Sequence, residues 1–295
     1  MSNSPIVITG AGGPLGQELI AQLVPRYRIV GLTRRPSLEG LRNAPGLVYR
    51  GWNYLEEPDE HRFQAVVHLA AFVDFSWALG SVLNCVNANI LKTADLVRFA
   101  HRCRIPRLIY TSTVSVYHED GQSPKSEDSP VGPSTVYAAS KWMGELVVQA
   151  AQDDGTETVI LRFAGIYGQP NRSDPVLNRF IQQALRREPI RVLAPQRKRD
   201  YIYLKDAARA CALAIESKAV GIFHVATGTG IAFLEMAQQV CRILGGRFEV
   251  SPDDIGQGSP ELVYEVSRAR KHLNFQCQYS LERALEDIRA RITVL

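Results

Sequence analysis

The amino-acid sequence predicts an α/β fold in which a doubly wound parallel sheet is followed by a small C-terminal α/β lid. Short apolar runs rich in β-branched residues alternate with helical patterns through the first half of the chain. Runs of this kind are typical of parallel strands covered by helices on both faces. After about Gly165 the pattern breaks into shorter pieces with frequent proline and glycine. We therefore expect residues 1–165 to form the sheet domain, with its last strands completed by later segments, and residues 166–295 to form mainly the lid.

Six runs are predicted as strands because consecutive apolar or β-branched residues lie between polar or glycine-containing segments. They are residues 6–9, 28–32, 47–49, 65–69, 107–111 and 158–162. Helices are predicted where apolar residues recur every three or four positions, as Ile90, Ala94 and Val97 do. They are residues 15–23, 84–103, 134–152, 175–187, 205–217, 234–244 and 280–292. A helix between two strands is the connection that a parallel sheet requires.

The composition is that of an ordinary globular protein, with 45% hydrophobic and 22% charged residues. The net charge of +4 is mildly basic, and the one dense basic run is Arg197-Lys198-Arg199. Nucleic-acid binders usually carry more clustered charge, so we expect no nucleic-acid partner. The basic run is either a solvated loop or a contact for a phosphorylated ligand.

Cysteine usage and the absence of apolar targeting segments favour a cytoplasmic protein. The five cysteines are scattered and form no Cys-x-x-Cys pair, which argues against a disulfide framework and against a zinc site. We expect no metal. The chain passes from Met1 directly into a strand-like run, without a signal-like segment, and has no apolar stretch of membrane-spanning length. We therefore expect no membrane partner.

A glycine-rich loop follows the first predicted strand and precedes the first predicted helix. Gly10, Gly13 and Gly16 would provide a tight turn, a close approach of the backbone to a pyrophosphate, and close packing of helix on strand. The helix start at Pro14 and Leu15 would offer unpaired N–H groups and a partial positive charge to that anion. The sequence therefore predicts a dinucleotide site.

The end of the second predicted strand indicates which dinucleotide binds. NAD sites commonly carry an acidic residue here, which hydrogen-bonds the ribose 2′-hydroxyl. This chain instead has Thr33-Arg34-Arg35, and a guanidinium suits the 2′-phosphate of NADP. The alternative is that Arg34 and Arg35 are solvated surface residues. NADP(H) is the favoured cofactor, and NAD(H) is possible.

A tyrosine and a lysine four residues apart lie in the predicted helix 134–152. This spacing brings the Tyr137 phenol and the Lys141 ammonium onto one helix face, where the cation would lower the phenol pKa toward the range of an acid/base catalyst. Tyr201 and Lys205 have the same spacing, but they lie where a strand runs into a helix and cannot share a face. Context therefore selects Tyr137.

A predicted strand with a hydroxyl-rich end precedes this helix, and it includes Thr113. A hydroxyl there can hold a carbonyl or alcohol oxygen of a substrate, because ligands bind at the carboxyl edge of open α/β sheets. Serine and threonine are also common at strand ends that have no function. The combination with the glycine loop and Tyr137 predicts an enzyme that moves a hydride, with Tyr137 as the proton-transferring group.

In order along the chain, these residues resemble the extended short-chain dehydrogenases/reductases, in their NAD-dependent epimerase/dehydratase branch. The resemblance implies a Rossmann-type fold with a C-terminal substrate-binding lid, and it covers essentially the whole chain. The matching segments are residues 9–16, 67–71, 89–93, 112–117, 137–141, 161–168, 199–206 and 267–270.

The resemblance also implies roles for individual residues. Thr113 would orient the reacting oxygen, Tyr137 would give or take its proton, and Lys141 would lower the tyrosine pKa and bind the nicotinamide ribose. Arg199 would bind a substrate diphosphate, with Gly165 beside the substrate. The residues along the cofactor would be Asn53, in place of the family's adenine-contacting aspartate, together with Leu69, Ala70, Ala71, Asn89 and Phe163.

Departures from the family pattern leave the small-molecule substrate open. Gly165 replaces a frequent asparagine, and Ala194 and Pro195 replace the glycines that usually precede the Arg199 region. Residues 251–260 carry Asp253 and Asp254 but no arginine that could bind a nucleotide phosphate.

Three functions stay open. The arginines favour an NADP(H)-dependent oxidoreductase acting on a nucleotide-linked sugar or a related keto compound. The first alternative is a sugar-nucleotide epimerase or dehydratase that holds NAD tightly. The second is a non-catalytic NADP-binding sensor or scaffold, which would not need Thr113, Tyr137 and Lys141. Relatives often dimerise through helices that correspond to residues 84–103 and 134–152, so a homodimer is possible; Val147, Val148 and Ala151 suit an interface or a core equally.

Overall fold

The structure is a computed structural model that describes residues 4–35, 37–59, 62–74, 78–169, 176–250 and 261–293. Its strands are β1 (Ile6–Thr9), β2 (Ile29–Leu32), β3 (Leu47–Arg50), β4 (Ala65–His68), β5 (Arg107–Thr113), β6 (Glu157–Phe163), β7 (Gly165–Tyr167), β8 (Ile190–Val192), β9 (Lys198–Arg199), β10 (Tyr201–Tyr203), β11 (Gly221–Val225), β12 (Ile231–Ala232) and β13 (Phe248–Val250).

Seven of these strands form one parallel sheet in the order β11–β6–β5–β4–β1–β2–β3. The chain moves outward from β1 to one edge, returns to β4, and then moves toward the other edge. This reversal makes the carboxyl ends of β1 and β4 the topological switch point, where open α/β sheets bind ligands. The remaining strands form three two-stranded pairs, β7–β10, β9–β12 and β8–β13.

The helices begin where the sequence supplies suitable starts. In the first helix Pro14 occupies the first turn, where its missing N–H costs nothing. Before the fourth helix, the Thr135 hydroxyl accepts a hydrogen bond from Ala138 N. The helices are α1 (Pro14–Leu23), α2 (Leu79–Val86), α3 (Lys92–Arg102), α4 (Val136–Ala150), α5 (Val176–Leu185), α6 (Leu204–Glu216), α7 (Phe233–Leu244), α8 (Ser267–Leu273) and α9 (Leu281–Thr293).

Helices cover both faces of the sheet, and a second core lies beyond its carboxyl edge. On one face α1 and α6 pack together, with Leu19, Ile20 and Ala207 fully buried. On the other face α3 and α4 bury Leu96 and Val148 against the strands. The second core is built from α5, α7 and α9 with β8 and β10. None of the helices in the described ranges combines the length and the apolar character that crossing a bilayer requires.

The predicted fold class is confirmed, and each predicted strand is present with small changes at its ends. The predicted helix 84–103 differs from the structure in its start and its continuity. The helix begins at Leu79, and a π-helical turn at Asn87–Leu91 separates α2 from α3. Among the other predicted helices, only the start at Pro175 falls outside the described residues. The edge strand β11 was not predicted. The run that forms it is short and contains the polar His224, which is buried here by specific hydrogen bonds.

Late segments of the chain complete the sheet domain. β11 pairs with β6, and residues of α6 and α8 belong to the same core as β1. The division into a dinucleotide-binding part at residues 1–165 and a substrate-binding part at 166–295 stays a prediction.

Candidate active site

The glycine loop lies between the carboxyl end of β1 and the start of α1. Gly10 has a φ of +68°, and a Cβ at this position would lie 2.8 Å from Ala70 N. A Cβ on Gly16 would lie 2.4 Å from Gly10 O, so the helix approaches the strand more closely than any side chain allows. The N-cap residue of α1 is Gly13, which has no side chain to cap the helix, and the first turn of α1 holds no acidic residue. These features fit a pyrophosphate, which would take the N–H groups at Leu15 and Gly16.

Arg34 and Arg35 follow β2 beside this loop. Both are exposed, but the stem of Arg35 lies along the loop, because a Cβ on Gly12 would be 3.2 Å from Arg35 Cδ. The Thr33 hydroxyl accepts a hydrogen bond from Arg35 N at 3.1 Å, which helps to fix this turn. Of the two arginines, Arg35 is therefore the one that the structure brings against the predicted phosphate loop.

A chain of hydrogen bonds connects the loop with the helices behind it. Ala70 N donates to the Thr9 hydroxyl at 3.1 Å, and that hydroxyl lies 2.6 Å from His68 Nδ1. His68 Nε2 lies 3.0 Å from the Thr93 hydroxyl, which donates to Asn89 O at 2.8 Å. Since the Thr93 proton is used on Asn89, His68 must donate from Nε2 and accept at Nδ1. Burial lowers the His68 pKa to about 3, so the imidazole is neutral.

Asn89, a predicted cofactor residue, joins the loop after β4 to α4. Its side-chain amide accepts from Phe72 N at 2.8 Å and donates to Phe72 O at 2.9 Å. The same amide nitrogen donates to the Ser140 hydroxyl at 2.9 Å. Asn89 lies within the π-helical turn, whose extra residue per turn changes the direction of the side chains that follow. Leu69, Ala70 and Ala71 lie in the loop that this contact holds.

Tyr137 lies in the first turn of α4 and is half-buried, whereas Lys141 is only 2% exposed. The Lys141 ammonium lies 4.1 Å from the centre of the Tyr110 ring, within cation–π distance. Burial lowers the Lys141 pKa to about 7, and the charge of Glu145 opposes that change. The ammonium is therefore close to its titration point at neutral pH, and its charge is available to stabilise an anion beside it.

Thr113 is the last residue of β5 and lies beside Phe163, its register partner in β6. The Thr113 hydroxyl accepts from Ser115 N at 3.1 Å and donates to the Ser115 hydroxyl at 3.2 Å. Ser115 is exposed between the buried residues Val114 and Val116. The sheet thus presents hydroxyl groups at its carboxyl edge, close to the predicted position of the nicotinamide beside Phe163.

A buried ion pair behind this edge was not predicted. Glu145 is one further helical turn beyond Lys141 and receives bonds from Arg162 Nε at 3.0 Å and Arg162 Nη2 at 2.6 Å. The Ser112 hydroxyl also donates to Glu145. Arg162 Nη1 donates to the Tyr117 hydroxyl at 2.7 Å, and that hydroxyl bonds His224 Nε2 at 2.5 Å. The signal that could have revealed Glu145 is its position eight residues after Tyr137, which continues the same helix face.

Gly165 and Arg199 lie in the lid strands rather than in the sheet. Gly165 pairs with Tyr201. Arg199 is half-buried in β9, and burial followed by the nearby charge of Arg197 lowers its pKa. The next residue, Asp200, accepts bonds from Thr227 N at 2.9 Å and Gly228 N at 2.8 Å, just beyond β11. This anchor brings Arg199 to the same edge of the sheet as Thr113.

Other predicted residues lie farther from this group or outside the described chain. Asn53 is exposed in a 3₁₀ turn after β3. The phosphate-contact segment 251–260 is outside the described residues. Val148 and Ala151 belong to the core, so a dimer interface would not use them. The apolar residues exposed on these helices are Leu79, Leu83, Val86, Leu91, Met143 and Leu146, and a homodimer stays a prediction.

Comparison with known proteins identifies relatives that are similar in sequence and in fold. A dTDP-glucose 4,6-dehydratase of Streptomyces niveus is 28% identical over 63% of this chain and 56% of that protein. The solved UDP-N-acetylglucosamine 4-epimerase from Bacillus cereus is 26% identical, with a TM-score of 0.84 over 99% of this chain and 97% of that one. The solved UDP-glucuronic acid 4-epimerase from Bacillus cereus in complex with NAD is 23% identical, with a TM-score of 0.80 over 98% of this chain and 99% of that one.

The family model described as the NAD dependent epimerase/dehydratase family matches residues 6–226. That match spans the glycine loop, the Thr113 strand, Tyr137, Lys141 and the edge strand β11. The chain therefore belongs to the NAD-dependent epimerase/dehydratase family, within the extended short-chain dehydrogenases/reductases.

Proposed function

We propose that this protein is a nucleotide-sugar 4-epimerase that holds a nicotinamide dinucleotide throughout the reaction. The observation that supports the proposal is that α4, which carries Tyr137 and Lys141, packs against β5, which ends at Thr113 in the same sheet as the glycine loop. The two Bacillus cereus neighbours, both named as 4-epimerases, support the reaction type. The family description and the NAD complex of one of them favour NAD.

In the proposed mechanism, Thr113 orients a sugar hydroxyl toward Tyr137. The phenolate oxygen of Tyr137 accepts the proton of this hydroxyl while the hydrogen on the same carbon leaves as hydride. When hydride returns to the opposite face of the resulting ketone, Tyr137 gives the proton back to the sugar oxygen. Lys141 stabilises the phenolate by its charge. A bound dinucleotide would supply the hydride acceptor and donor. Arg199 would hold the diphosphate, so that the sugar can turn without leaving the site.

Epimerisation is favoured over dehydration by the residues that follow Thr113. Loss of water from a keto sugar requires a base for the carbon-bound proton and an acid for the leaving hydroxyl, in addition to the tyrosine. Val114 and Ser115 directly follow Thr113 and bring no carboxylate to this position. The exposed Ser115 hydroxyl instead suits a hydrogen bond to a sugar hydroxyl.

A second candidate, an NADPH-dependent ketoreductase, is favoured by one observation. Arg35 lies against Gly12 in a chain that has no acidic residue at the end of β2. A guanidinium there could bind a 2′-phosphate, and such an enzyme would use up NADPH and release NADP. The identity of the retained cofactor therefore separates the two candidates.

The first experiment is denaturing release and mass identification of whatever dinucleotide co-purifies, followed by incubation with UDP-glucose and UDP-N-acetylglucosamine. We expect NAD in the purified protein, and NMR of the sugar should reveal the 4-epimer without added cofactor. Protein that purifies empty and oxidises NADPH in step with carbonyl reduction would instead identify a reductase. A 4-keto-6-deoxy product would identify a dehydratase, and absence of turnover would favour a non-catalytic protein.

The roles of the arginines are tested by Arg34→Ala and Arg35→Ala. If NAD is the cofactor, we expect both variants to keep NAD affinity within about threefold, since neither guanidinium has a 2′-phosphate to bind. A loss of NADP affinity of tenfold or more in Arg35→Ala alone would support the reductase. For the substrate, Arg199→Ala should raise the KM of a sugar nucleotide about tenfold or more, and an unchanged KM would remove diphosphate-bearing substrates from consideration.

A further inference from the structure

Three residues with four-residue spacing line the inner face of α4, namely Tyr137, Lys141 and Glu145. The first two are the proposed catalytic pair. Glu145 lies farthest from the active-site edge and is 1% exposed. A buried carboxylate is costly unless its charge is paired and its oxygens are hydrogen-bonded, so the environment of Glu145 shows what it holds in place.

Both oxygens of Glu145 are hydrogen-bonded by the two strands that carry the site. Oε1 accepts from Ser112 Oγ and from Arg162 Nε, and Oε2 accepts from Arg162 Nη2 in a two-point contact. Ser112 immediately precedes Thr113, and Arg162 immediately precedes Phe163. The carboxylate therefore connects α4 to the carboxyl ends of both β5 and β6.

The same carboxylate contributes to the electrostatics of Lys141. On its own helix, Tyr137 lies one turn before this lysine and Glu145 lies one turn after it. From the sheet, the Tyr110 ring on β5 and the neutral His68 on β4 lie near it. Burial lowers the Lys141 pKa to about 7, and among these groups Glu145 is the one that raises it. Without this charge, less of the lysine would be protonated at neutral pH, and the cation that stabilises the Tyr137 phenolate would be present in a smaller fraction of molecules.

We infer that Glu145 is a positioning residue, which fixes the Tyr137 and Lys141 face of α4 against β5 and β6 and supplies a negative charge one helical turn from the buried ammonium. It acts through Lys141 and does not contact the substrate. The inference rests on the proposed roles of Tyr137 and Lys141 but not on the identity of the sugar.

The test measures ionisation of Tyr137 without any substrate. The ultraviolet absorbance of tyrosinate is followed against pH, and the titration of Tyr137→Phe is subtracted to isolate Tyr137. Burial raises the pKa of Tyr117 to about 12, and that of Tyr110 is raised as well, so these two ionise outside the range of interest. In Glu145→Gln we expect the Tyr137 midpoint to rise by about one pH unit or more, because Lys141 loses its proton earlier and the loss of this nearer cation outweighs the loss of the more distant Glu145 charge.

Glu157→Gln is the matched control. Glu157 begins β6 and forms a 2.6 Å pair with Arg107 at the opposite end of the strand that carries Arg162. Its loss should lower stability and leave the Tyr137 midpoint unchanged. An unchanged midpoint in folded Glu145→Gln, or an equal shift in Glu157→Gln, would overturn the inference. Failure of the proposed function would instead leave the midpoint shift intact with no epimerisation.

Glu145→Asp separates position from charge and serves if Glu145→Gln does not fold. The shorter side chain keeps the charge but cannot hold Ser112 and Arg162 together in the same geometry. We expect the Tyr137 midpoint to stay within about half a pH unit of the wild type. The kcat should fall about fivefold or more, with KM little changed. A Glu145→Asp enzyme with wild-type kcat would contradict a positioning role.

Discussion

Two segments of this chain place a lysine four residues after a tyrosine, and the fold uses them in opposite ways. Tyr137 and Lys141 lie on one face of α4, where the ammonium is buried over the Tyr110 ring. Tyr201 lies in β10, and Lys205 lies in the first turn of α6. Lys205 donates to Asp287 at 2.6 Å, together with the Tyr203 hydroxyl at the same distance.

The difference shows that a spacing of four residues predicts a shared face only where the backbone between the two residues is helical. In a helix, four residues bring two side chains onto one face, whereas the strand-to-helix junction sends them in different directions. Lys141 is deprived of water and has its pKa lowered to about 7. Lys205 keeps a carboxylate partner and fastens α9 to the rest of the molecule. The first lysine has the proposed catalytic role, whereas the second forms an ion pair that joins two helices.

The largest effect is expected from removing the phenol hydroxyl of Tyr137, with Tyr201 as the comparison. Tyr137→Phe should lower kcat about 10²–10⁴-fold, because it removes the only group proposed to move the proton. Tyr201→Phe should change kcat less than about threefold, since this tyrosine lies outside the proposed proton path. Steady-state turnover of the epimerisation checks both variants. Comparable losses of kcat in the two variants would contradict the proposal that Tyr137, and not Tyr201, transfers the proton.

Replacing the two lysines should separate activity from stability. Lys141→Met should reduce kcat about 100-fold or more and raise the Tm by about 2–4 °C at pH 6, because a charge no longer has to be buried. The folded pKa of about 7 lies below the ordinary 10.5, so this gain is full below pH 7 and fades as pH rises toward 10.5.

Lys205→Met is the matched control. It loses the pair with Asp287, so it should lower the Tm by about 2 °C and leave kcat nearly unchanged. Thermal unfolding at several pH values measures both lysine variants. A Tm that falls equally in the two would contradict the assignment of Lys141 as a strained, buried cation.

The smallest effect is expected at the partner of the second lysine. Burial of Asp287 is outweighed by bonds from Lys205 and Tyr203, and its pKa lies below the ordinary 3.8. This contribution to stability is therefore complete above pH 3.8 and is lost as pH falls below it. Asp287→Asn should cost about 1–2 kcal/mol at pH 7 and less than that at pH 3, as measured by urea unfolding. Equal losses of unfolding free energy at both pH values would indicate that the charge of the Asp287 carboxylate does not contribute to stability.

Much of the fold and the outline of the site could be predicted from the sequence, because they depend on local patterns. Strand runs, helix periodicity and the glycines at 10, 13 and 16 each have a local physical cause. The ion pair between Glu145 and Arg162 could not be predicted, since it joins a helix to a strand whose mutual position no local pattern encodes. The π-helical turn at Asn87–Leu91 was missed for a similar reason, because its geometry depends on the contacts of Asn89 with Phe72 and Ser140.

The position of β11 at the sheet edge has a consequence for how the protein is made. During synthesis β6 leaves the ribosome long before its neighbour Gly221–Val225, so the unpaired edge of β6 stays open to other chains in the interval. A chain truncated near residue 165 would keep that edge exposed and would also lack the helix α6 that covers α1. We therefore expect such a fragment to aggregate, and a shortened protein should extend at least through Phe275, which packs in the same core.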